Sequence, residues 1–402
     1  MRYLALCCDY DGTLAHHGQL DAATIAAMEQ FRATGRKLLM VTGRELDDLK
    51  SVCPRLDLFD LIVAENGALL YWPTTGEERS LAERPPPAFV TELRRRGVER
   101  ISVGRVIVAT WEPHEKTALA AIRDLGLELQ VIFNKGAVMI LPAGVNKASG
   151  LRAALTELNL SLHNAVGVGD AENDHAFLSI SECAVAVANA LPSLKERADI
   201  VTRGDHGAGV TELIGEILAN DLAAHEAKLV RHHVLLGTAR DGTPVKVSPY
   251  GINALIAGSG GKAAIVGLIG QLRDHAYSFC VIDPEGDYDR LEAVVVIGSA
   301  DHVPQLDECV QLVSKADTNV VVNLRGIGLN ERPAFFFSLF ARLSQVRVRT
   351  GRPHVVIVDH AHQVLPATTS DFPVALNGVL LASATPDLIA QPVLRSIGTV
   401  LG

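Results

Sequence analysis

Two carboxylates one residue apart, Asp9 and Asp11, stand in the run Asp9-Tyr10-Asp11-Gly12-Thr13-Leu14, directly after the apolar stretch Tyr3–Cys8. The carboxyl ends of strands are where open α/β sheets bind ligands, and a chain leaving such a strand can turn both acids toward one site. Gly12 permits the tight turn this needs. The plainer reading of the run is a surface turn with Asx caps. Three further stretches bear on the choice. Thr42-Gly43-Arg44 follows the apolar run Lys37–Val41 and offers a hydroxyl and backbone N–H groups at a helix start, a phosphate cradle. Lys147, in Gly144-Val145-Asn146-Lys147, opens a helix and can act as a point charge on a phosphoryl group. Gly167-Val168-Gly169-Asp170-Ala171-Glu172-Asn173-Asp174 follows another strand and supplies acids for a hard, oxygen-preferring cation such as magnesium. Each has a plain alternative: an N-cap threonine, a solvated lysine, loop acids. Four such pieces at strand ends point instead to phosphoryl chemistry.

The elements that must position them are short apolar runs alternating with helical stretches. Strands are expected at Tyr3–Cys8, Lys37–Val41, Leu61–Ala64, Ala165–Val168 and Ala184–Val187, and helices at Ala22–Thr34 and Ala148–Leu158. Continuous apolar strands alternating with helices imply a doubly wound parallel sheet, an α/β fold. Over residues 70–144 the rhythm changes. The run Glu83-Arg84-Pro85-Pro86-Pro87 reads as a hinge, followed by a helix at Phe89–Arg96, a strand at Ile101–Ala109, a helix at Glu115–Leu125 and strands at Glu128–Phe133 and Ala137–Leu141. This is an inserted α+β unit within a core of residues 1–69 and 145–218. A polar, helical connection is expected over 219–244, and a second α/β alternation over 245–402.

The four motifs, in this order, resemble the haloacid dehalogenase superfamily of phosphohydrolases, and the insert resembles the cap of its Cof-like, type IIB branch. Ala64-Glu65-Asn66-Gly67-Ala68, Val185–Ala190, Lys195, Ala198-Asp199 and Gly207-Ala208-Gly209-Val210 extend the resemblance over about residues 1–218. It implies that Asp9 attacks phosphorus and forms an aspartyl-phosphate. It implies that Asp11 protonates the leaving oxygen and then takes a proton from water. Mg²⁺ would be held by the Asp9 carboxylate, the Asp11 backbone carbonyl and Asp170, with Asp174 completing or orienting that set. Thr42, Gly43, Lys147 and Asn173 would bind the phosphoryl group. The cap would choose the substrate, a small phosphorylated metabolite such as a phosphosugar, with Glu65, Asn66, Trp111, His114 and Lys135 as candidates. Trp111 as plain packing and His114 as a helix cap are the competing readings. A phosphosugar mutase is the alternative with the same aspartyl-phosphate.

In the second half, the strand-like Asn253–Ala257 leads into Gly258-Ser259-Gly260-Gly261-Lys262-Ala263 and an apolar helix, the setting of a P-loop. Counted back from Gly261-Lys262, the first glycine falls on Ile256; counted from Gly258, the loop is two residues short; Ala263 replaces the metal-binding hydroxyl. Downstream, Cys280–Tyr288 and Arg352–His362 resemble P-loop ATPases of the DNA-pumping and conjugation type, with Asp359 at the acidic strand end but His360 where a water-activating glutamate belongs. Ser383-Ala384-Thr385, after Gly378–Ala382, takes a sensor position. The expectation is a degenerate nucleotide site at Gly258, Gly260, Gly261, Lys262 and Asp359. Such a pseudo-ATPase would bind nucleotide weakly, or serve regulation or assembly. A nucleotide-responsive binding protein is thus the other class of function, and self-association is a candidate because similar ATPases form rings.

Composition sets the outer bounds. The chain has 402 residues, 48% apolar and 21% charged, with net charge −9, the balance of a folded protein of two or three domains. The acidic balance argues against a dedicated nucleic-acid binder. The run Arg94-Arg95-Arg96 reads as a solvated helix face. None of the six cysteines has metal-ligand spacing, which fits a reduced, cytoplasmic protein. Met1–Cys8 meets Asp9 too soon to be a signal core, and no apolar run approaches membrane-spanning length.

Overall fold

A computed structural model describes residues 2–315, 318–369 and 376–402. The chain divides into two compact units, Tyr3–Leu229 and Val230–Gly402 with Arg2.

In the first unit the core strands are β1 (Ala5–Cys8), β2 (Lys37–Val41), β3 (Leu61–Ala64), β4 (Leu69–Trp72) and β5 (Glu77–Ser80). The insert carries β6 (Ser102–Val103), β7 (Val108–Trp111), β8 (Leu129–Asn134) and β9 (Ala137–Pro142). The core resumes with β10 (Ala165–Gly169), β11 (Cys183–Ala186) and β12 (Ile200–Val201). The sheet order is β12-β11-β10-β1-β2-β3-β4-β5. Pairing is parallel from β12 to β3 and antiparallel for β4 and β5. The parallel strands are buried along nearly their whole length because helices cover both faces, which is why they read as unbroken apolar runs. The core sheet therefore continues to Ser80, beyond the expected start of the insert at residue 70.

The cap is an antiparallel sheet, order β6-β7-β9-β8. Along β9 the side chains alternate between two environments, as strand geometry requires. Val138 and Ile140 pack with Phe89, Leu93, Ala118 and Ala121 of the cap helices Pro87–Arg95 and Glu115–Asp124. Met139 and Leu141 pack with Ala68 and Val145 of the core. The single strand expected at Ile101–Ala109 is broken into β6 and β7. The break has a local cause: the backbone N–H groups of Arg105, Val106 and Ile107 donate to the buried Glu65 carboxylate instead of a neighbouring strand.

The second unit opens with the antiparallel pair β13 (Val234–Thr238) and β14 (Pro244–Val247), where a helical connection was expected. Its main sheet contains β15 (Asn253–Ala257), β16 (Phe279–Asp283), β17 (Val295–Ile297), β18 (Val320–Asn323), β19 (Val355–Val358), β20 (Val379–Ser383) and β21 (Thr399–Leu401). The order is β17-β18-β16-β19-β20-β15-β21, parallel throughout. The strand bearing the glycine-rich loop, β15, and the strand leading to Asp359, β19, are separated by β20. All six cysteines are free and buried. Among the described residues, no helix is long and apolar enough to cross a membrane.

Candidate active site

Parallel pairing of β10, β1, β2 and β3 brings their carboxyl ends to one edge, and the next residues of each strand gather there. Asp9 follows β1, Thr42 follows β2, Glu65 follows β3 and Asp170 follows β10. Two hydrogen bonds carry this register past the strands: Asp9 N–H donates to Val168 O at 2.9 Å and Thr42 N–H to Val63 O at 2.8 Å.

Lys147 enters from the helix Lys147–Glu157, whose first turn is set by Asn146 and Ser149 in a reciprocal capping box. Its Nζ lies 2.5 Å from Asp9 Oδ1 and 2.6 Å from Asp174 Oδ1, and it is 1% exposed. Asp174 Oδ2 in turn accepts the backbone N–H groups of Asp170 and Ala171, at 2.8 and 2.9 Å, which curls the loop after β10 back over the site. Carboxylate oxygens of Asp9, Asp170 and Asp174 converge within 4.8 Å of one another. Burial pushes the Asp9 carboxyl up to about 8, reinforced by Asp174 and Asp170 and opposed by Lys147. Burial also raises Asp170, against the pull of Lys135. Burial alone would lower Lys147, but Asp174 and Asp9 outweigh it and hold the ammonium well above its usual range. Three buried carboxylates around one buried lysine leave negative charge uncompensated. Their hard oxygen donors fit a divalent cation of the magnesium class, and an ammonium, that of Lys135, already stands against one of them, Asp170 Oδ2.

Asp11 points to the other side of the loop, where Arg44 Nε and Nη2 donate to its two oxygens at 2.6 and 2.7 Å. This bidentate pair was not anticipated; Arg44 was visible in the sequence only as the residue after Thr42-Gly43. Gly12, between the two acids' loop and Asp170, has φ +92°, and a Cβ there would lie 2.4 Å from Asp170 Oδ2. Thr13 Oγ1 donates to Asp170 Oδ1 at 3.2 Å. Thr42 is buried, its Oγ1 accepting the Arg44 N–H at 3.2 Å. Gly43 lies beside it, packed under Met139 of the cap and the Asn173 amide.

The cap candidates separate into three kinds. Lys135, at the β8–β9 turn, reaches the acids: Nζ is 2.7 Å from Asp11 O and 2.9 Å from Asp170 Oδ2. Glu65 and Asn66 are instead bonded to other groups of the protein. Glu65 is fully buried, its carboxylate filled by the N–H groups of Arg105, Val106 and Ile107 at 2.7–2.9 Å, with Gly104 so close that a Cβ would meet Oε1 at 2.6 Å. Glu65 is thus a latch between core and cap. Asn66 accepts from Asn173 Nδ2 at 3.0 Å and so braces the amide that lies beside Gly43. Trp111 and His114 form no hydrogen bond or ion pair with the acids among the described residues. The Trp111 ring lies under the Arg100 guanidinium at 3.4 Å. His114 occupies the N-cap position of Glu115–Asp124 without a side-chain capping bond.

In the second unit, Gly258 has φ +111° and the helix Gly261–Asp274 starts at the loop's end, carrying Lys262 in its first turn. Lys262 Nζ donates to Asp287 Oδ1 at 2.6 Å. Asp359 accepts the Tyr288 hydroxyl at 2.7 Å and the His360 N–H at 2.8 Å. Asp283 accepts three N–H groups of its own turn, from Gly286, Asp287 and Tyr288.

Residues 6–88 and 99–214 match the family described as haloacid dehalogenase-like hydrolase. The chain is 32% identical over 219 residues to phosphoglycolate phosphatase 2 of Saccharolobus solfataricus, covering 53% of this chain and 91% of that protein. It is 29% identical over 219 residues to the phosphoglycolate phosphatase of Methanothermobacter thermautotrophicus, covering 52% and 96%. Among solved structures it is similar to a subclass IIB sugar phosphatase, at 20% identity and a TM-score of 0.44, covering 53% and 98%. With the acid cluster at the strand ends and the match over both halves of the core, this chain belongs to the haloacid dehalogenase-like hydrolases.

Proposed function

We propose that the first unit hydrolyses a small phosphomonoester through an aspartyl-phosphate on Asp9, with magnesium as cofactor. The chain is a phosphoric monoester hydrolase by family; the residue roles and the substrate are the proposal. The observation that carries it is the buried cluster of Asp9, Lys147, Asp174 and Asp170 at one sheet edge, beside the Thr42-Gly43 cradle.

Asp9, the Asp11 carbonyl and Asp170 would hold the metal, which supplies charge neutralisation for the phosphoryl oxygens when bound. An Asp9 oxygen attacks phosphorus; the Asp9–phosphorus bond forms as the ester bond breaks, and the leaving oxygen takes a proton from Asp11. Water then attacks the phosphoryl group, Asp11 takes its proton, and the acyl-phosphate bond breaks to give inorganic phosphate and free Asp9. Lys147 opposes the burial that favours the protonated nucleophile and orients it, and the Thr42 hydroxyl and Gly43 N–H receive phosphoryl oxygens. Asp11 must leave Arg44 to reach the leaving group, so the Arg44 pair is the resting position of the acid. Asp9 and Asp170 are each 5% exposed, which favours a small substrate and requires the cap to move for entry. The two relatives named as phosphoglycolate phosphatases support a small phosphorylated hydroxy acid as the first substrate class to assay, ahead of phosphosugars.

For the second unit we read a degenerate nucleotide site. Its lysine is held by Asp287, and Asp359 is engaged by Tyr288 and His360, an arrangement that favours regulation or assembly over turnover. Wild type and Asp9→Asn assayed with Mg²⁺ against a panel of phosphomonoesters test the main reading. Turnover in wild type and its loss in the variant are expected; equal rates in both would overturn it.

A further inference from the structure

The β8–β9 hairpin closes through a two-residue turn, Lys135-Gly136, in which both φ values are positive, 48° and 83°. Turns of this kind favour asparagine followed by glycine. A lysine in the left-handed region costs roughly 1 kcal/mol, so the turn itself gives no reason for lysine. The side chain does. Its ammonium stands against the Asp11 carbonyl and the Asp170 carboxylate, two of the three groups that would hold a divalent cation on the reading above. Ammonium and ion need the same oxygens.

We propose that Lys135 fills the cation position when no metal is bound and that metal entry displaces it, so that metal loading releases the hairpin tip from the core. The inference rests on the metal reading of the previous section. Charge supports it: Lys147 pairs with Asp9 and Asp174, whereas Asp170 is paired with Lys135 and the neutral Thr13 hydroxyl. Once a divalent ion sits on Asp170, the ammonium faces a like charge at ion-pair range.

The attachment of the cap explains how one edge can move while the other stays. The β6–β7 edge is fixed to the core by Glu65 and by Arg105, which pairs with Asp47 and Glu78. The far edge, at the tip of β8–β9, meets the acids through the Lys135 ammonium, whose side chain is half exposed. A four-stranded cap sheet held along β6–β7 can rock about that edge, lifting the tip. Lys135 is then a bolt drawn by the metal.

The test is Mn²⁺ binding to the full chain without substrate, followed by electron paramagnetic resonance, for wild type, Lys135→Met and Asp170→Asn. Lys135→Met should bind about tenfold more tightly, the scale of one like charge removed from a partly solvated site. Asp170→Asn should lose tight binding. Hydrogen exchange over residues 133–137 should speed up in wild type on Mg²⁺ saturation, and be fast with or without Mg²⁺ in Lys135→Met. Equal or weaker Mn²⁺ binding by Lys135→Met would overturn the role of Lys135 while leaving the metal site standing. No binding by either protein would overturn the metal reading itself. If Lys135→Met does not fold, Lys135→Gln carries the same comparison.

Discussion

Two lysines occupy equivalent places in the two units and live in opposite surroundings. Lys147 and Lys262 each sit in the first turn of a helix near the carboxyl ends of a parallel sheet. Lys147 is 1% exposed and bonded to two buried carboxylates; the Lys262 side chain is 54% exposed and bonded to one carboxylate that is itself part-exposed. Burial makes the first pair of contacts obligatory, because removing the ammonium leaves charge stranded in a low-dielectric site. Exposure makes the second dispensable, because water can replace either partner. The first site holds its charges out of water in mutual dependence. The second site holds a lysine that Asp287 has already satisfied.

Substitutions can break this comparison, and the largest effect is expected at the nucleophile. Asp9→Asn should lower kcat by at least about a thousandfold, because no other group can form the covalent intermediate. Lys147→Met should also abolish activity and in addition destabilise the first unit by about 3–5 kcal/mol, the cost of orphaning a buried ion pair; urea unfolding would measure it. Glu65→Ala should cost about 1–3 kcal/mol by leaving three N–H groups without their acceptor, and should open the segment 104–107 to proteolysis before the core unfolds. Lys262→Ala should change stability by less than about 0.5 kcal/mol and leave phosphatase turnover as in wild type. A large loss of turnover in Lys262→Ala would contradict the proposed reading of the second site as a degenerate nucleotide site.

The same comparison has a pH signature. Burial raises the Asp9 carboxyl to about 8, far above the usual aspartate range, so the unfolded chain releases this proton at lower pH than the folded one. Below about pH 4 the group is protonated in both states and costs nothing. As pH climbs toward 8 the folded state loses stability relative to the unfolded one. In the presence of a chelator, Asp9→Asn should therefore melt higher than wild type at pH 8, and the gap should close as pH falls toward 4. Thermal unfolding at several pH values checks the sign.

What could be read in the residues alone follows the range of the interactions. Asp9, Thr42 and Asp170 were legible because each ends an apolar strand, and strand periodicity is local. Lys147 was legible from its helix start. Glu65 was misread as a substrate contact. Its partners lie 40–42 residues away in the cap, and its φ of 51° leaves no mark on composition. The same contact explains the strand expected at 101–109 that splits in two. Arg44 was hidden for a similar reason, since its partner Asp11 is 33 residues away. Lys135 was picked out as a cap residue, but not as the one cap candidate that reaches the acids. In the second unit the shortened loop was plain, yet Asp287 as the partner of Lys262 was not, because only the fold brings the turn after β16 within reach of Lys262.

The most direct test of the central claim is to catch the phosphoryl group on Asp9. Asp11→Asn keeps the nucleophile but lacks the base that activates water, and an aryl phosphate with an acidic phenol does not need the missing acid. Mixed with Mg²⁺ and p-nitrophenyl phosphate and quenched in acid, this variant should gain the mass of one phosphoryl group, mapped by peptide mass spectrometry to Asp9, with one equivalent of nitrophenol released. Nitrophenol release without any adduct on Asp9, or an adduct on another residue, would contradict the account.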